Sequence, residues 1–67
     1  MRESVKDFIK RVISEDDYRV RIEANDMLPI TATKAELVSG NKVDGLYVIK
    51  MEITGWNSIT ITAGYHS

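Results

Sequence analysis

The residues able to do acid–base or nucleophilic chemistry are few. His66 is the chain's one histidine, and it stands next to the last residue. Residues at chain ends are commonly poorly ordered, whereas a general base needs a rigid position and an orienting partner. A solvated residue with no catalytic part is therefore expected there. Glu15-Asp16-Asp17 is the densest run of carboxylates. Divalent-cation sites draw their oxygen ligands from a spaced loop or from several segments, and no such loop pattern occurs here. The run reads as a solvated turn. No serine sits in a nucleophile elbow and no glycine-rich phosphate loop is present. Neither a catalytic residue, a cofactor, a metal nor a small-molecule substrate is expected, and the protein reads as a non-enzyme.

Binding chemistry has more to work with. Arg19 and Arg21 alternate along one stretch, and Lys34 and Lys50 stand in neighbouring stretches of strand-like pattern. Cations on one open sheet face can hold the backbone of a single-stranded nucleic acid. Glu23, Glu36 and Glu52 are expected on the same face, and interleaved signs also describe an ordinary solvated sheet with cross-strand pairs. Apolar contact offers the other route. Leu46 and Val48 alternate with Tyr47 and Ile49; if the latter pair faces a core, Leu46 and Val48 face outward, with Val38 and Val43 extending the patch. Trp56, between Gly55 and Asn57, is either a lid on the core or an exposed anchor, with the lid preferred. Ser58, Thr60 and Thr62 carry no charge; on a strand at the sheet edge they would mark a place for strand-to-strand pairing with a second copy.

These residues need elements to position them. The central stretch is 46–63, where two β-branched runs of period two flank the Gly55-Trp56-Asn57 turn, the pattern of an antiparallel hairpin. Tyr47, Ile49, Met51 and Ile53 share one face of the first run; Ile59, Ile61 and Ala63 share one face of the second. Residues 4–14 form an amphipathic helix: Val5, Phe8, Ile9, Val12 and Ile13 make one apolar stripe, with Ser4 as N-cap. Residues 18–24 alternate apolar and polar as a half-buried strand, and Asn25 to Pro29 turns the chain. Residues 30–39 are ambiguous. Thr33-Lys34-Ala35-Glu36 matches a capping box, yet the Ile30-Thr31-Ala32-Thr33 run favours a strand, which is the preferred reading.

The expected fold is α+β: one N-terminal helix packed on a three- to four-stranded antiparallel meander, in a single domain over residues 1–67. A chain of 67 residues buries a modest core, and with no cysteine it has no disulfide to reinforce it. Self-association is the remaining reinforcement, so a homodimer is expected. The formal net charge of −1 is far from the basic footprint of a dedicated nucleic-acid binder. No apolar run approaches the ~20 residues that span a bilayer, and the absence of cysteine fits the cytoplasm. The functional expectation is a small interaction module of regulator or inhibitor type that binds itself or another protein. The alternative is a nucleic-acid-binding module using the outer sheet face.

Overall fold

A computed structural model describes residues 2–65 of the chain, so His66 lies outside the described residues. Ser4 caps the first helix as its hydroxyl accepts from the Asp7 N–H at 3.2 Å, and α1 runs over Val5–Val12. It stops before the acidic run, where three carboxylates would oppose the helix dipole. Then follow β1 (Arg19–Ala24), β2 (Met27–Thr33), a second helix α2 (Lys34–Ser39), β3 (Tyr47–Gly55) and β4 (Ser58–Gly64).

Residues 34–39 are helical, and the strand expected there does not form. Thr33 accepts from the Glu36 N–H, and the Glu36 carboxylate accepts in return from the Thr33 N–H and hydroxyl. This local capping box outweighs the strand preference of the residues before it. Two tertiary bonds fix the new helix: the Lys34 N–H donates to the Tyr18 carbonyl and the Ala35 N–H to the Asp16 carbonyl, both at 3.0 Å. The acidic turn thus holds α2 through its backbone while its side chains stay in water. Thr33→Ala is expected to cost about 0.5–2 kcal/mol, the usual worth of such a cap. Denaturant unfolding measures it, and unchanged stability would mean the cap is idle.

That helix also changes the topology. The four strands form one sheet in the order β2-β1-β4-β3, so the meander is not the arrangement found. A meander needs β3 to start at the end where β2 stops. Instead α2 and the loop after it carry the chain back along the sheet, so β3 runs the same way as β2. Its hairpin partner β4 then runs the same way as β1, and the two lie parallel, Val20 beside Ile59 and Ile22 beside Ile61. Two antiparallel hairpins thus join along their inner strands in a mixed sheet. Pro29 falls in β2, an edge strand, where a missing N–H is tolerated.

Both helices cover the same face. Val5 and Ile9 from α1, Ile13 at its C-cap and Leu37 from α2 meet Val20, Ile22, Ala32, Ile59, Ile61 and Ala63 from the sheet, with Val43 and Leu46 closing one end. No residue with a polar side chain is fully buried among the described residues. Gly45 has a φ of 82° in the turn leading to β3, a conformation open to glycine at little cost. No helix among the described residues is long and apolar enough to cross a membrane.

Candidate interaction surfaces

The sheet is covered unevenly, and the reason is length. A helix rises about 1.5 Å per residue and a strand about 3.3 Å, so the eight residues of α1 reach about 12 Å against about 30 Å for the nine of β3. α1 begins beside the start of β3: the Val5 N–H donates to the Leu46 carbonyl, and the Val48 N–H to the Glu3 carbonyl, both at 2.9 Å. Ser4 forms an isolated antiparallel bridge with Tyr47. The first residues of β3 therefore have neighbours on both sides. Beyond Val48 the strand is an edge with no strand outside it among the described residues.

A bulge sets which side chains this edge presents. Val48 pairs with Ala63 and Lys50 with Thr62, so Ile49 is the extra residue. Tyr47 and Ile49 share the outer face. A side chain at Gly64 would meet Ile49 at 3.0 Å, so the missing side chain leaves room for it. After the bulge Met51 pairs with Ile61 and Ile53 with Ile59, which puts both on the helix side. α1 does not reach them, so Met51 is 40% exposed and Ile53 70%. Trp56, in the two-residue turn between Gly55 and Ser58, is 98% exposed. The lid expected of it is not formed.

α1 carries a second partly exposed apolar flank. Lys6 donates to the Gly40 carbonyl at 2.8 Å and pairs with Asp44 at 3.2 Å, so its flank of the helix faces α2 and the loop after it. Phe8 and Val12 lie on the opposite flank, toward β3. Phe8 is half-buried with the Arg11 guanidinium 5.6 Å from its ring centre, and Val12 is exposed. Arg11 in turn forms a forked pair with Glu3 at 2.9 and 3.2 Å. That hydrogen bonding holds the Glu3 carboxyl below its ordinary 4.5 and raises Arg11. The pair is present at neutral pH and lost on acidification through the lowered Glu3 value.

The residues expected at a protein interface divide accordingly. Leu46 is 1% exposed and belongs to the core, so its outward placement is corrected; the chain turns it inward where its carbonyl holds the start of α1. Val48 is half-buried and packs against the core opposite Ala63, because the parity of the strand before the bulge is the reverse of the one expected. Val43 is likewise buried and Val38 packs against the core, so neither extends an outer patch. Ser58, Thr60 and Thr62 do face away from the core, but β4 is flanked by β1 and β3 and offers no edge. The exposed apolar edge is instead Met51, Ile53 and Trp56, of which the sequence had singled out Trp56. Reading the helix length against the strand length would have located the other two; nothing in the sequence announces the bulge.

The opposite face carries the cations. Arg19 stands between Thr33 of β2 and Ser58 of β4, and Arg21 between Thr31 and Thr60. Lys50 lies beside Thr62 on the same face. Lys34 does not join them, since it opens α2 on the other side of the sheet. Glu36 stands in α2 rather than on a strand, yet its carboxylate accepts from the hydroxyl of Thr33, the β2 neighbour of Arg19, and it lines one depression with both. Arg21 donates through Nε to Glu23 at 2.9 Å, a pair along one strand rather than across two.

Among the described residues no three His, Cys, Asp or Glu side chains come together as metal ligands. In comparison with known proteins, no family model, no curated protein and no solved structure matches this chain.

Proposed function

We propose that the protein is a non-enzymatic interaction module that acts as a homodimer, two copies joined along the free edge of β3. The observation that carries this reading is the uncovered second half of an edge strand bearing Met51 and Ile53 on its apolar side. Proteins blunt such edges with lysine, proline, bulges or a cover. β3 has Lys50 and the bulge at Ile49, but Lys50 stands on the outer face and Met51 and Ile53 stay exposed on the other. Here the cover stops at Val48, and Trp56 extends the apolar strip to the hairpin tip.

The edge is complementary to itself in one register. The free stretch runs from Ile49 to the turn, and an antiparallel pairing centred on Met51 sets Lys50 of one copy opposite Glu52 of the other, twice. Met51 then meets Met51, and the α1 flanks bearing Phe8 and Val12 wall the seam. Centring the pair on Glu52 would oppose two carboxylates, which is unfavourable for residues directly across a ladder. Charge therefore favours the Met51-centred register over the Glu52-centred one, and the Lys50–Glu52 pairs favour it over registers that leave those charges unpaired. The resulting sheet has eight strands, and its two hydroxyl-rich outer faces become continuous.

Light scattering over a concentration series tests the dimer; a monomer at every concentration would end the proposal. The register has its own test. Lys50→Glu places like charges opposite each other at two places, and with cross-strand pairs worth roughly 0.2–1 kcal/mol each it should weaken the dimer about tenfold. Adding Glu52→Lys restores opposite charges and should recover the affinity. A double variant as weak as the single one rules the register out.

A further inference from the structure

The outer face of the sheet holds a second feature, which the dimer does not use. Two arginines on alternate positions of β1 stand about 6.6 Å apart along the strand, and hydroxyls flank them on both neighbours. A depression of about 200 Å³ lies over them, lined by Arg19, Arg21, Thr31, Thr54, Ser58 and Thr60 among others, and no carboxylate of the described residues lines it. Arg19 makes no ion pair among the described residues. Arg21 is engaged by Glu23 through Nε, and its terminal amino groups have no carboxylate partner within that bond.

The hydroxyls are loosely held. Thr60 donates to Thr54 at 3.4 Å, and Thr54 and Ser58 stand 3.5 Å apart. Hydroxyl pairs normally sit near 2.7–2.8 Å, so these contacts are at the limit of a hydrogen bond and the protons are free to turn to a better acceptor. Glu23 holds Arg21 from one side, Glu52 lies across from Thr60 and Glu36 shares a neighbouring depression with Arg19. The depression itself is nevertheless lined by cations and hydroxyl donors, which match a ligand that only accepts hydrogen bonds and carries negative charge. We infer that the outer face binds a phosphate group between Arg19 and Arg21, with Thr31, Ser58 and Thr60 as hydroxyl donors.

Amide chemical-shift titration of the full chain with inorganic phosphate tests this. Saturable shifts are expected at Arg19, Arg21, Thr31, Ser58 and Thr60. Arg19→Ala should weaken binding about 10- to 100-fold, the worth of one charge-assisted hydrogen-bonding group. Arg19→Lys should recover only part of it, because a lysine lacks the planar fork. Lys42→Ala, an exposed cation of the loop after α2, should change nothing. Shifts without saturation, or an equal loss in the Arg19 and Lys42 variants, would overturn the site. The spectra themselves report whether each variant is folded. A parallel titration with an oligothymidylate identifies the source of the phosphate. Tighter binding at the same residues, falling steeply with salt, assigns it to a nucleic-acid backbone, and equal affinity assigns it to a free phosphate or phosphoester. Neither result depends on the dimer, since a monomeric Ile53 variant presents the same face.

Discussion

Leu46→Ala is expected to destabilise the fold by about 2–5 kcal/mol, the usual range for removing a large aliphatic side chain from a core. Leu46 is among the largest fully buried side chains, and it closes the end of the core where α1 starts. Truncation would leave a cavity beneath the first turn of α1, and a helix of eight residues has no stability of its own to resist it. Small domains are stable by only several kcal/mol, so the loss approaches the whole margin. For a domain of this size each kcal/mol moves Tm by about 4–8 °C, giving a fall of roughly 8–40 °C in calorimetry or circular dichroism. The same measurement separates a core residue from an interface residue. Leu46 at the surface of a dimer would change the concentration dependence of unfolding and leave the monomer's stability alone. A drop in Tm that is the same at all protein concentrations confirms the core placement; a variant as stable as the parent refutes it.

What was legible in the sequence were the elements whose signals are local. The helix at α1, the alternating strand at β1 and the hairpin around Trp56-Asn57 all follow from periodicity and turn residues, and each is present. The departures trace to two places, one where a short stretch carries competing signals and one that leaves no mark in the sequence. At Thr33 the capping box and the strand run overlap by one residue, and the helix wins because its reciprocal bonds and the two backbone bonds to Asp16 and Tyr18 act together. Tertiary bonds of that kind have no trace in the sequence. One element changed from strand to helix then reverses the direction of everything after it, which is how a meander becomes two hairpins side by side. The second place is the bulge at Ile49. Strand alternation has a period of two, so one extra residue exchanges the faces on either side of it. Met51 and Ile53 were placed on the core side correctly, while Leu46 and Val48, upstream of the bulge, were placed on the wrong one.

The outer face shows the reverse case. Alternation in β1 assigned Arg19 and Arg21 to it directly, and the structure keeps them there. What alternation did not supply was their surroundings. Which residues flank an arginine depends on which strands lie beside β1, and the parallel neighbour β4 brings Ser58 and Thr60 where a meander would have brought β2 alone. The same topology that takes Ser58, Thr60 and Thr62 away from the sheet edge gives them a place beside two cations.

Ile53→Lys should convert the proposed dimer to a monomer while leaving the fold intact. Ile53 sits at 70% exposure, so most of its side chain already contacts water in the free chain and a lysine there costs the monomer little. In a two-fold dimer the substitution acts twice. Burial of an isoleucine is worth about 1.5–3 kcal/mol, and two copies lost together amount to about 3–6 kcal/mol, or roughly 100- to 10,000-fold in Kd. The introduced lysines add to this, since edge lysines are a common means of preventing strand-to-strand pairing. Sedimentation or light scattering reads the association, and thermal unfolding at high dilution reads the monomer. The proposal requires the two to separate: association lost, monomer Tm kept within a few degrees of the parent's at the same dilution. Trp56→Ala is the comparison that locates the seam. A smaller loss than at Ile53 keeps the contact centred on the strand, where Met51 meets its copy, whereas a larger one moves it to the hairpin tip and away from the register drawn from Lys50 and Glu52. If Ile53→Lys still dimerises with the parent's affinity, β3 is not the seam, and a strand edge this apolar is then left open in solution.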